Sequence, residues 1–321
     1  MKTFVSPSPR LLLLLLITCF FTGCQNDDDA ADAVFGSGQS VLVHEGNILV
    51  SGFISRHRQL RTGYWINGEP ASEEDFEALT GQPAIYRQAV DDEFRRIYRY
   101  RDTRGVLREY SFNQFVSEKD HVLQYYEDGV RMEMPADSLG VLSAVDFAED
   151  HPYFAGFFES GVYGDSIAVL NPRVPFIWDG HSSRLPLQLP ENTPSFQGIS
   201  TIYMKNADEF YISAVCGFPM YWKNTEPVVL DNRYGEVWQI TSGESDVYAA
   251  GFVNKHGSNS TSHTACYWVN GTYHELEDHA QAYGIYIDGT DIYVTGATGN
   301  VPTAYRPCYW VNGVRVDLPL K

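Results

Sequence analysis

The sequence ACYWVNGTYHEL at residues 265–276 occurs again, almost unchanged, as PCYWVNGVRVDL at residues 307–318. Its core, Tyr-Trp-x-Asn-Gly, recurs in strong or weaker form along the 321-residue chain. Of the 6 tryptophans, all but one fall in the same slot of this motif. Recurrence at a period of roughly 40 to 60 residues indicates a fold built from repeats. The motif tryptophans are Trp65, Trp178, Trp222, Trp268 and Trp310.

Three other short segments accompany the motif in a fixed order. In the last repeat they are AYGIYIDG at 282–289, DIYVTGA at 291–297 and, after the motif, RVDLP at 315–319. All are rich in Val, Ile, Leu or Tyr, and Asp-Gly or Asn-Gly turns join them, so each repeat is predicted to be four antiparallel strands. A glycine recurs in the second strand, where we expect it to permit close packing, at positions 52, 156, 251 and 296, with Ala214 replacing it in one repeat.

Four-stranded repeats of this length predict an all-β protein, a β-propeller. We count six blades between Gln39 and Leu320, and the second blade, at residues 84–135, is the most degenerate. A β-solenoid is the alternative, although hairpin-joined antiparallel strands suit it poorly. The chain starts on a first strand and stops on a fourth, so no closing strand shared by the two termini is expected. The pattern resembles propeller proteins in general rather than one characterised propeller family.

The first 24 residues have the features of a secretory signal. Two bases precede the apolar run LLLLLLITCFF at residues 11–21, which is too short to span a membrane as a stable helix. The run ends in Phe-Thr-Gly-Cys, which resembles the lipobox of bacterial lipoproteins and implies cleavage before Cys24 and a lipid on it. An ordinary signal peptide is the alternative. The predicted signal peptide, lipidated acidic tether and propeller domain are residues 1–23, 24–38 and 39–321.

The five residues after Cys24, QNDDD, resemble the surface-export signal of lipoproteins from Bacteroidetes-type bacteria. This resemblance implies a protein that is held in the bacterial outer membrane by its lipid and exposed at the cell surface. A plain acidic tether, which only keeps the domain away from an anionic membrane, is the alternative.

The chain is strongly acidic, with a formal net charge of −18. The first 24 residues hold two bases and no acid, so the remainder has 23 − 2 = 21 basic and 41 acidic residues. Nucleic acid is excluded as a partner because phosphate binding needs a basic face. The negative charge also argues against electrostatic attraction to a membrane in addition to the lipid anchor, but it is compatible with the binding of divalent cations.

The cysteines that follow Cys24 are Cys216, Cys266 and Cys308. An odd number does not complete a disulfide framework, and equivalent positions in neighbouring repeats are usually too far apart to bridge. We therefore expect these three cysteines to be free and buried, where they act as small apolar residues.

A propeller presents two different faces. The connections from strand two to three and from strand four to the next blade emerge on one face, here called the loop face, and the tight hairpin turns emerge on the other, the turn face. The turns in this chain are short and alike, whereas long and diverse two-to-three loops are predicted at 54–63, 159–175, 253–265 and 298–307. This asymmetry favours a rigid scaffold with a binding site on the loop face.

Three groups of residues on the loop face are candidates for ligand binding. A basic loop suits a carboxylated or sulfated glycan, and it contains Arg56, His57, Arg58 and Arg61. Aromatic platforms for a glycan are expected at Tyr163, Tyr234 and Tyr305. The four-to-one connections near the channel carry groups that suit Ca²⁺ or acid–base chemistry, namely Asp231, Glu277, Asp278 and His279. The metal is unknown, and no other cofactor is predicted.

No catalytic signature is present: the chain lacks G-x-S-x-G, H-E-x-x-H, a P-loop and a dinucleotide fingerprint. No catalytic residue is therefore assigned. The leading hypothesis is a non-enzymatic, lipid-anchored propeller that binds a glycan or an envelope protein. The alternatives are a polysaccharide hydrolase or lyase with carboxylates or a histidine near the channel, and a structural subunit of an outer-membrane complex, since a fold alone does not assign chemistry.

Overall fold

The computed structural model shows a chain made almost entirely of antiparallel sheets. It describes residues 34–56, 59–81, 89–90, 95–113, 125–132, 140–158, 173–181, 184–255, 262–299 and 304–320. The signal segment lies outside these ranges, and so do four residues singled out in the sequence: Cys24, His57, Arg58 and Tyr163.

In each sheet the strands follow one another in chain order, so that every sheet is a meander. Blade 1 contains β1 (Phe35–His44), β2 (Asn47–Arg56), β3 (Gln59–Ile66) and β4 (Glu69–Ala71). Blade 2 contains β5 (Ala89–Val90), β6 (Arg95–Arg101), β7 (Leu107–Asn113), β8 (Tyr125–Glu127) and β9 (Val130–Met132). Blade 3 contains β10 (Gly140–Ala148), β11 (His151–Phe158), β12 (Val174–Trp178) and β13 (Leu185–Pro186).

The last three blades are more regular. Blade 4 contains β14 (Gly198–Met204), β15 (Phe210–Val215), β16 (Met220–Lys223) and β17 (Glu226–Val229). Blade 5 contains β18 (Gly235–Ser242), β19 (Val247–Val253), β20 (Thr264–Val269) and β21 (Thr272–Asp278). Blade 6 contains β22 (Ala280–Asp288), β23 (Asp291–Thr298), β24 (Arg306–Val311) and β25 (Val314–Asp317).

The first strands of neighbouring blades lie side by side around a central channel. β10 contacts β14, β14 contacts β18, β18 contacts β22, and β22 contacts β1, while blade 2 joins the ring where β7 contacts β10. The prediction of a six-bladed all-β propeller is confirmed. Blade 2 departs from the others because the two-residue strand β5 pairs with β6 and gives that sheet a fifth strand.

A β-bulge interrupts the first strand at the same register in five blades. Each bulge leaves one residue of the first strand without a partner on the second. The recurring glycine lies opposite the bulge, and a Cβ at Gly251 would overlap the carbonyl oxygen of Glu236. The glycine therefore makes room for a backbone carbonyl rather than for a neighbouring blade. The bulge residues are Gln39, Ser143, Ser200, Trp238 and Tyr283.

The Asn-Gly half of the motif forms the turn between the third and fourth strands. In blade 6, Asn312 has a φ of 50° and Gly313 a φ of 83°, a left-handed pair that suits a two-residue hairpin. The Asn312 side chain accepts a hydrogen bond from Ile292 N at 2.9 Å and donates one to Asp291 Oδ1 at 2.8 Å. It thereby ties the two turns of one blade together, and Asn67 and Asn270 make the same bonds in blades 1 and 5.

Replacing Asn312 with alanine is expected to reduce the free energy of unfolding by about 2 kcal/mol, because it removes both bonds and places a β-carbon at positive φ. The Asn312→Gly variant separates the two causes, since glycine accepts that backbone angle and still lacks the bonds. We expect it to lose about half as much in a urea unfolding experiment. Equal losses in the two variants would contradict a contribution from backbone conformation.

The motif tryptophan lies on the third strand and packs against the preceding blade. Trp222 is fully buried in a cluster with Ala144 and Ala155 of blade 3, and its indole Nε1 donates to Gln188 O at 2.7 Å. Trp65 repeats this arrangement across the ends of the chain, because its Nε1 donates to Pro319 O at 2.9 Å. In these two blades one side chain thus provides both the apolar packing and the hydrogen bond that join adjacent blades.

The ring closes without a strand shared by its two ends, as the sequence predicts. Blade 1 contains only N-terminal strands and blade 6 only C-terminal strands. The two blades are held together by Trp65, by a hydrogen bond from Gly36 N to Tyr305 O at 3.0 Å, and by an apolar cluster. The buried members of that cluster are Val41, Val50, Trp65, Tyr293, Tyr309 and Leu318.

One helix, α1 (Glu73–Thr80), follows blade 1 and was not predicted. Ser72 caps its first turn by accepting a hydrogen bond from Asp75 N, and the Asp75 carboxylate accepts one from Ser72 N, which is a capping box. Gly81 ends the helix in the left-handed conformation. Phe76 is buried against Tyr64 of β3, with ring centroids 5.6 Å apart, so the helix covers one side of blade 1.

The chain enters the propeller on the loop face, because β1 runs from that face toward the first hairpin turn. β1 begins at Phe35, four residues before the predicted start at Gln39. Cys216, Cys266 and Cys308 are free and buried, as the odd count indicated. Within the described ranges, no helix has the length and apolar character needed to cross a membrane.

Candidate binding site at the central channel

Arg56 and Arg61 lie on paired strands of an extended hairpin rather than in a ten-residue loop. β2 and β3 stay paired as far as Arg56 and Gln59, so the prediction of a loop over 54–63 is wrong. Strand pairing continues because the exposed side chains leave the ladder undisturbed. Arg56 and Arg61 are exposed, and the guanidinium of Arg61 donates to Gln59 Oε1 at 3.3 Å.

Asp231 is held by its neighbour rather than presented to a ligand. Its carboxylate accepts hydrogen bonds from the Arg233 guanidinium and backbone, the shortest at 2.5 Å. Burial opposes ionisation of Asp231, but the hydrogen bonds and charge of Arg233 outweigh it and leave the pKa of the carboxyl below its usual value. Arg233 also lies over the ring of Tyr273, 4.6 Å from its centroid. The Asp231–Arg233 ion pair therefore stabilises the connection between blades 4 and 5.

The acidic residues at the end of blade 5 are also individually paired. Glu277 binds the guanidinium of Arg315 in blade 6. Asp278 accepts from Thr264 Oγ1 at 2.6 Å and from Lys255 Nζ at 2.9 Å, and the first of these bonds lowers its pKa most. His279 Nδ1 lies 3.0 Å from Ser262 Oγ. Across the described ranges, no three His, Cys, Asp or Glu residues come close enough to hold a metal ion.

The bulges place a different set of side chains on the channel wall. A bulged residue turns out of the strand ladder. Gln39 is exposed, Ser200 is partly exposed, and Trp238 and Tyr283 keep accessible surface between buried neighbours. Trp238 is the one tryptophan outside the repeated motif, and its ring lies 5.9 Å from that of Tyr283 at an angle of 54°. Its indole Nε1 is buried and has no hydrogen-bond partner among the described residues.

Tyr283 begins a hydrogen-bonded network that runs to the loop face. Its hydroxyl donates to Gln281 Oε1 at 2.8 Å, and the Gln281 amide donates to the Tyr305 hydroxyl at 3.1 Å and to His263 Nδ1. The His263 ring stacks on Phe252 with centroids 4.0 Å apart. Burial raises the pKa of Tyr305 and lowers the pKa of His263, so both side chains are neutral at pH 7.

Glu236 lies beside this network and differs from every other acid described above. It is the second residue of β18, it faces Phe252 across the strand pair, and it is 8% exposed. Among the described residues it makes no ion pair or hydrogen bond, and burial alone raises its pKa to about 7. Its charge in turn contributes to the raised pKa values of Tyr234 and Tyr283, after burial as the main cause.

The structure therefore brings together two of the residues predicted from the sequence and several that were not. Tyr234 and Tyr305 belong to the channel cluster, although Tyr305 is buried rather than exposed and Tyr234 is half-buried. Sequence reasoning missed Glu236, Trp238, Gln281 and Tyr283. The one signal in the sequence that could have singled out Trp238 is its position outside the repeated slot.

The comparisons with known proteins concern the fold. No protein-family model and no curated protein matches the sequence. A puromycin-hydrolysing peptidase from Mycobacterium tuberculosis aligns with TM-score 0.48 and 9% identity over 91% of this chain and 54% of its own, so the chain spans about half the length of that protein. The β-propeller domain of the Trilobed protease from Pyrococcus furiosus aligns with TM-score 0.43 and 9% identity over 89% and 96%. Domains 1–2 of Drosophila Semaphorin 1a align with TM-score 0.40 and 10% identity over 90% and 86%.

Proposed function

We propose that this protein is a non-enzymatic binding propeller that is anchored in the bacterial outer membrane through a lipid on Cys24. Its ligand, a glycan or a group on an envelope protein, occupies the loop-face mouth of the channel between blades 5 and 6. The observation that carries the proposal is the cluster of aromatic and polar side chains there, in which Trp238 and Tyr283 stand on the channel wall. Aromatic walls with a few fixed polar groups are typical of small-ligand sites.

The acids of the loop face support binding rather than catalysis. A general acid–base pair needs two groups that share one substrate. Asp231, Glu277 and Asp278 are each engaged by a separate cation and do not converge. They fix the connections between blades, and a rigid rim of this kind suits a site whose role is recognition.

An enzyme, such as a polysaccharide hydrolase, is the second candidate because of one residue. The pKa of Glu236 is raised to about 7, which is the range in which a carboxyl serves as a general acid at neutral pH. Its position beside the channel network makes it the group to test first.

One experiment separates the two candidates. The protein without its first 24 residues is incubated with a panel of polysaccharides, and both retention on the polymer and formation of new chain ends are measured. Retention without cleavage supports the binding propeller, and cleavage that disappears in Glu236→Gln supports the enzyme. If neither is observed with any polymer, the glycan form of the proposal is wrong, and cross-linking to envelope proteins becomes the test of the other form.

Lipid attachment has its own test. Replacing Cys24 with alanine is expected to move the protein from the membrane fraction to the soluble fraction and to abolish incorporation of labelled palmitate, because the lipobox cysteine is the acceptor of the lipid. Replacing Cys19, which lies inside the apolar run, is the matched control and should leave both unchanged. Incorporation of label into the Cys24 variant would contradict the proposal.

A further inference from the structure

Glu236 occupies a position that does not call for an acid. The residues at the same register of the first strand in the other regular blades are Ser37, Val141, Gly198 and Gln281. All of these are neutral. A carboxylate held away from water costs free energy unless a cation or several donors accompany it. The fold alone therefore does not account for an acid at this register.

No group of the protein offsets that cost among the residues that the structure describes. Glu236 has no salt bridge and no hydrogen bond there, and no lysine or arginine affects its ionisation. The groups that feel its charge are Tyr234, Tyr283 and Cys216, and none of them is a cation. The Glu236 residue is thus nine-tenths buried and has no partner among the described residues, at the loop-face end of β18.

The surroundings of Glu236 are aromatic. Phe252 faces it on β19, the ring of Tyr234 lies 6.3 Å from that of Phe252, and Trp238 and Tyr283 stand next to each other deeper in the channel. The faces of aromatic rings carry negative potential and attract organic cations, more strongly where water is excluded. An acidic group among aromatic rings, in a protein with a net charge of −18, favours a positively charged ligand over a neutral or an anionic one.

We propose that the channel mouth between blades 5 and 6 binds a small primary ammonium ion, with the carboxylate of Glu236 as its counter-ion and the rings of Tyr234, Trp238 and Tyr283 as its walls. The ammonium group supplies both the charge that the buried carboxylate lacks and N–H donors for its oxygens. The hydrogen bonds of Gln281 to Tyr283 and Tyr305 hold the wall in place before the ligand arrives. This inference rests on the proposed function, because it names the ligand chemistry of the same site.

The test is calorimetric titration of the full-length protein in detergent micelles with n-butylammonium chloride, and with n-butanol as the neutral isostere. We expect saturable binding of one n-butylammonium per chain, at least tenfold tighter than that of n-butanol. Glu236→Gln should weaken it at least tenfold, and Trp238→Leu several-fold. The matched control is Glu226→Gln, an exposed acid on the turn face, which should leave the affinity unchanged.

A second measurement does not depend on how the variants fold. At pH 7, binding of the ammonium ion should transfer the Glu236 proton to the buffer, so the apparent heat should differ between HEPES and phosphate, neither of which contains a primary ammonium group. Tyr234, Tyr283 and Cys216, which face Glu236, keep their own protons at this pH because their pKa values are raised, and the pKa of His263, beside Gln281, is lowered, so it is already neutral.

Three results would overturn the inference: no saturation by n-butylammonium up to 100 mM, equal affinities for the amine and the alcohol, or an unchanged affinity in Glu236→Gln. Tighter binding of a neutral methyl glycoside that is insensitive to Glu236→Gln would also overturn it. If polysaccharide is retained without cleavage while the amine does not bind, the proposed function stands and only the ligand chemistry inferred here is wrong. If the amine binds but no polysaccharide or envelope protein is retained, the inferred ligand chemistry stands and the proposed function is wrong.

Discussion

Replacing Trp65 with alanine is expected to destabilise the folded protein by about 3–5 kcal/mol, a large part of the stability of an ordinary domain. Trp65 is completely buried, and its indole carries both the packing and the hydrogen bond to Pro319 that close the ring. No shared strand replaces it, because blades 1 and 6 have no strand in common. The free energy of unfolding in urea, followed by far-ultraviolet circular dichroism, measures the loss.

Trp222→Ala is the matched control, because it removes an equally buried tryptophan from a blade junction that is not the closure of the ring. Trp222 is equally buried and donates to Gln188, but the chain itself connects the two blades that it joins. Both variants should lose a similar amount of stability, whereas only Trp65→Ala should speed amide hydrogen exchange in β1 and β25 before global unfolding. If exchange at both ends of the ring stays as slow as in the wild type, Trp65 is a packing residue and not the closure.

The second large effect concerns pH. Burial raises the pKa of Glu236 to about 7 in the folded protein, compared with an ordinary value of 4.5. The folded state therefore holds this proton more tightly than the unfolded state does. The resulting stability is fully present below pH 4.5 and is lost as the pH rises through 7. A tenfold difference in proton affinity corresponds to about 1.4 kcal/mol, so the loss amounts to about 3 kcal/mol.

Glu236→Gln isolates this contribution, because glutamine resembles the protonated acid and does not titrate. The difference in free energy of unfolding between the variant and the wild type should grow in favour of the variant by about 2.5 kcal/mol between pH 5 and pH 8. Taking the difference cancels the other titrations, among them His263, whose lowered pKa acts in the opposite direction. A constant difference across this range would show that Glu236 reaches water or a cation in the folded protein.

The fold was predictable because the information that specifies it is local and repeated. Trp268 packs against the preceding blade, Asn270 and Gly271 form the turn of their own blade, and the chain repeats both tasks. The helix α1 was missed because it is short, although Ser72 and Asp75 have the residue types and the spacing of a capping box. The hairpin tip at Arg56 was missed because polar residues at the end of a strand look like a loop in sequence.

The candidate site was harder to predict because it depends on register. Tyr234 and Tyr305 were predicted because they are aromatic residues in segments that connect strands. Finding such segments requires only the order of the strands along the chain. Glu236 and Trp238 lie in an ordinary-looking strand segment. A bulge turns Trp238 out of the strand ladder, and the packing of the folded blades buries Glu236. Such long-range placement leaves no trace in the spacing of residues along one chain.

The point at which the chain enters the propeller determines how the site would face the membrane under the proposed lipid anchor on Cys24. β1 starts on the loop face, and Cys24 lies 34 − 24 = 10 residues before Val34, the first residue that the structure describes. Ten residues reach at most about 35 Å even when fully extended. Under the proposed anchor, a lipid on Cys24 would keep Val34 within that distance of the bilayer. The tether would therefore join the same face that carries the candidate site, so that a glycan or a protein group near the membrane surface lies within reach of the channel mouth.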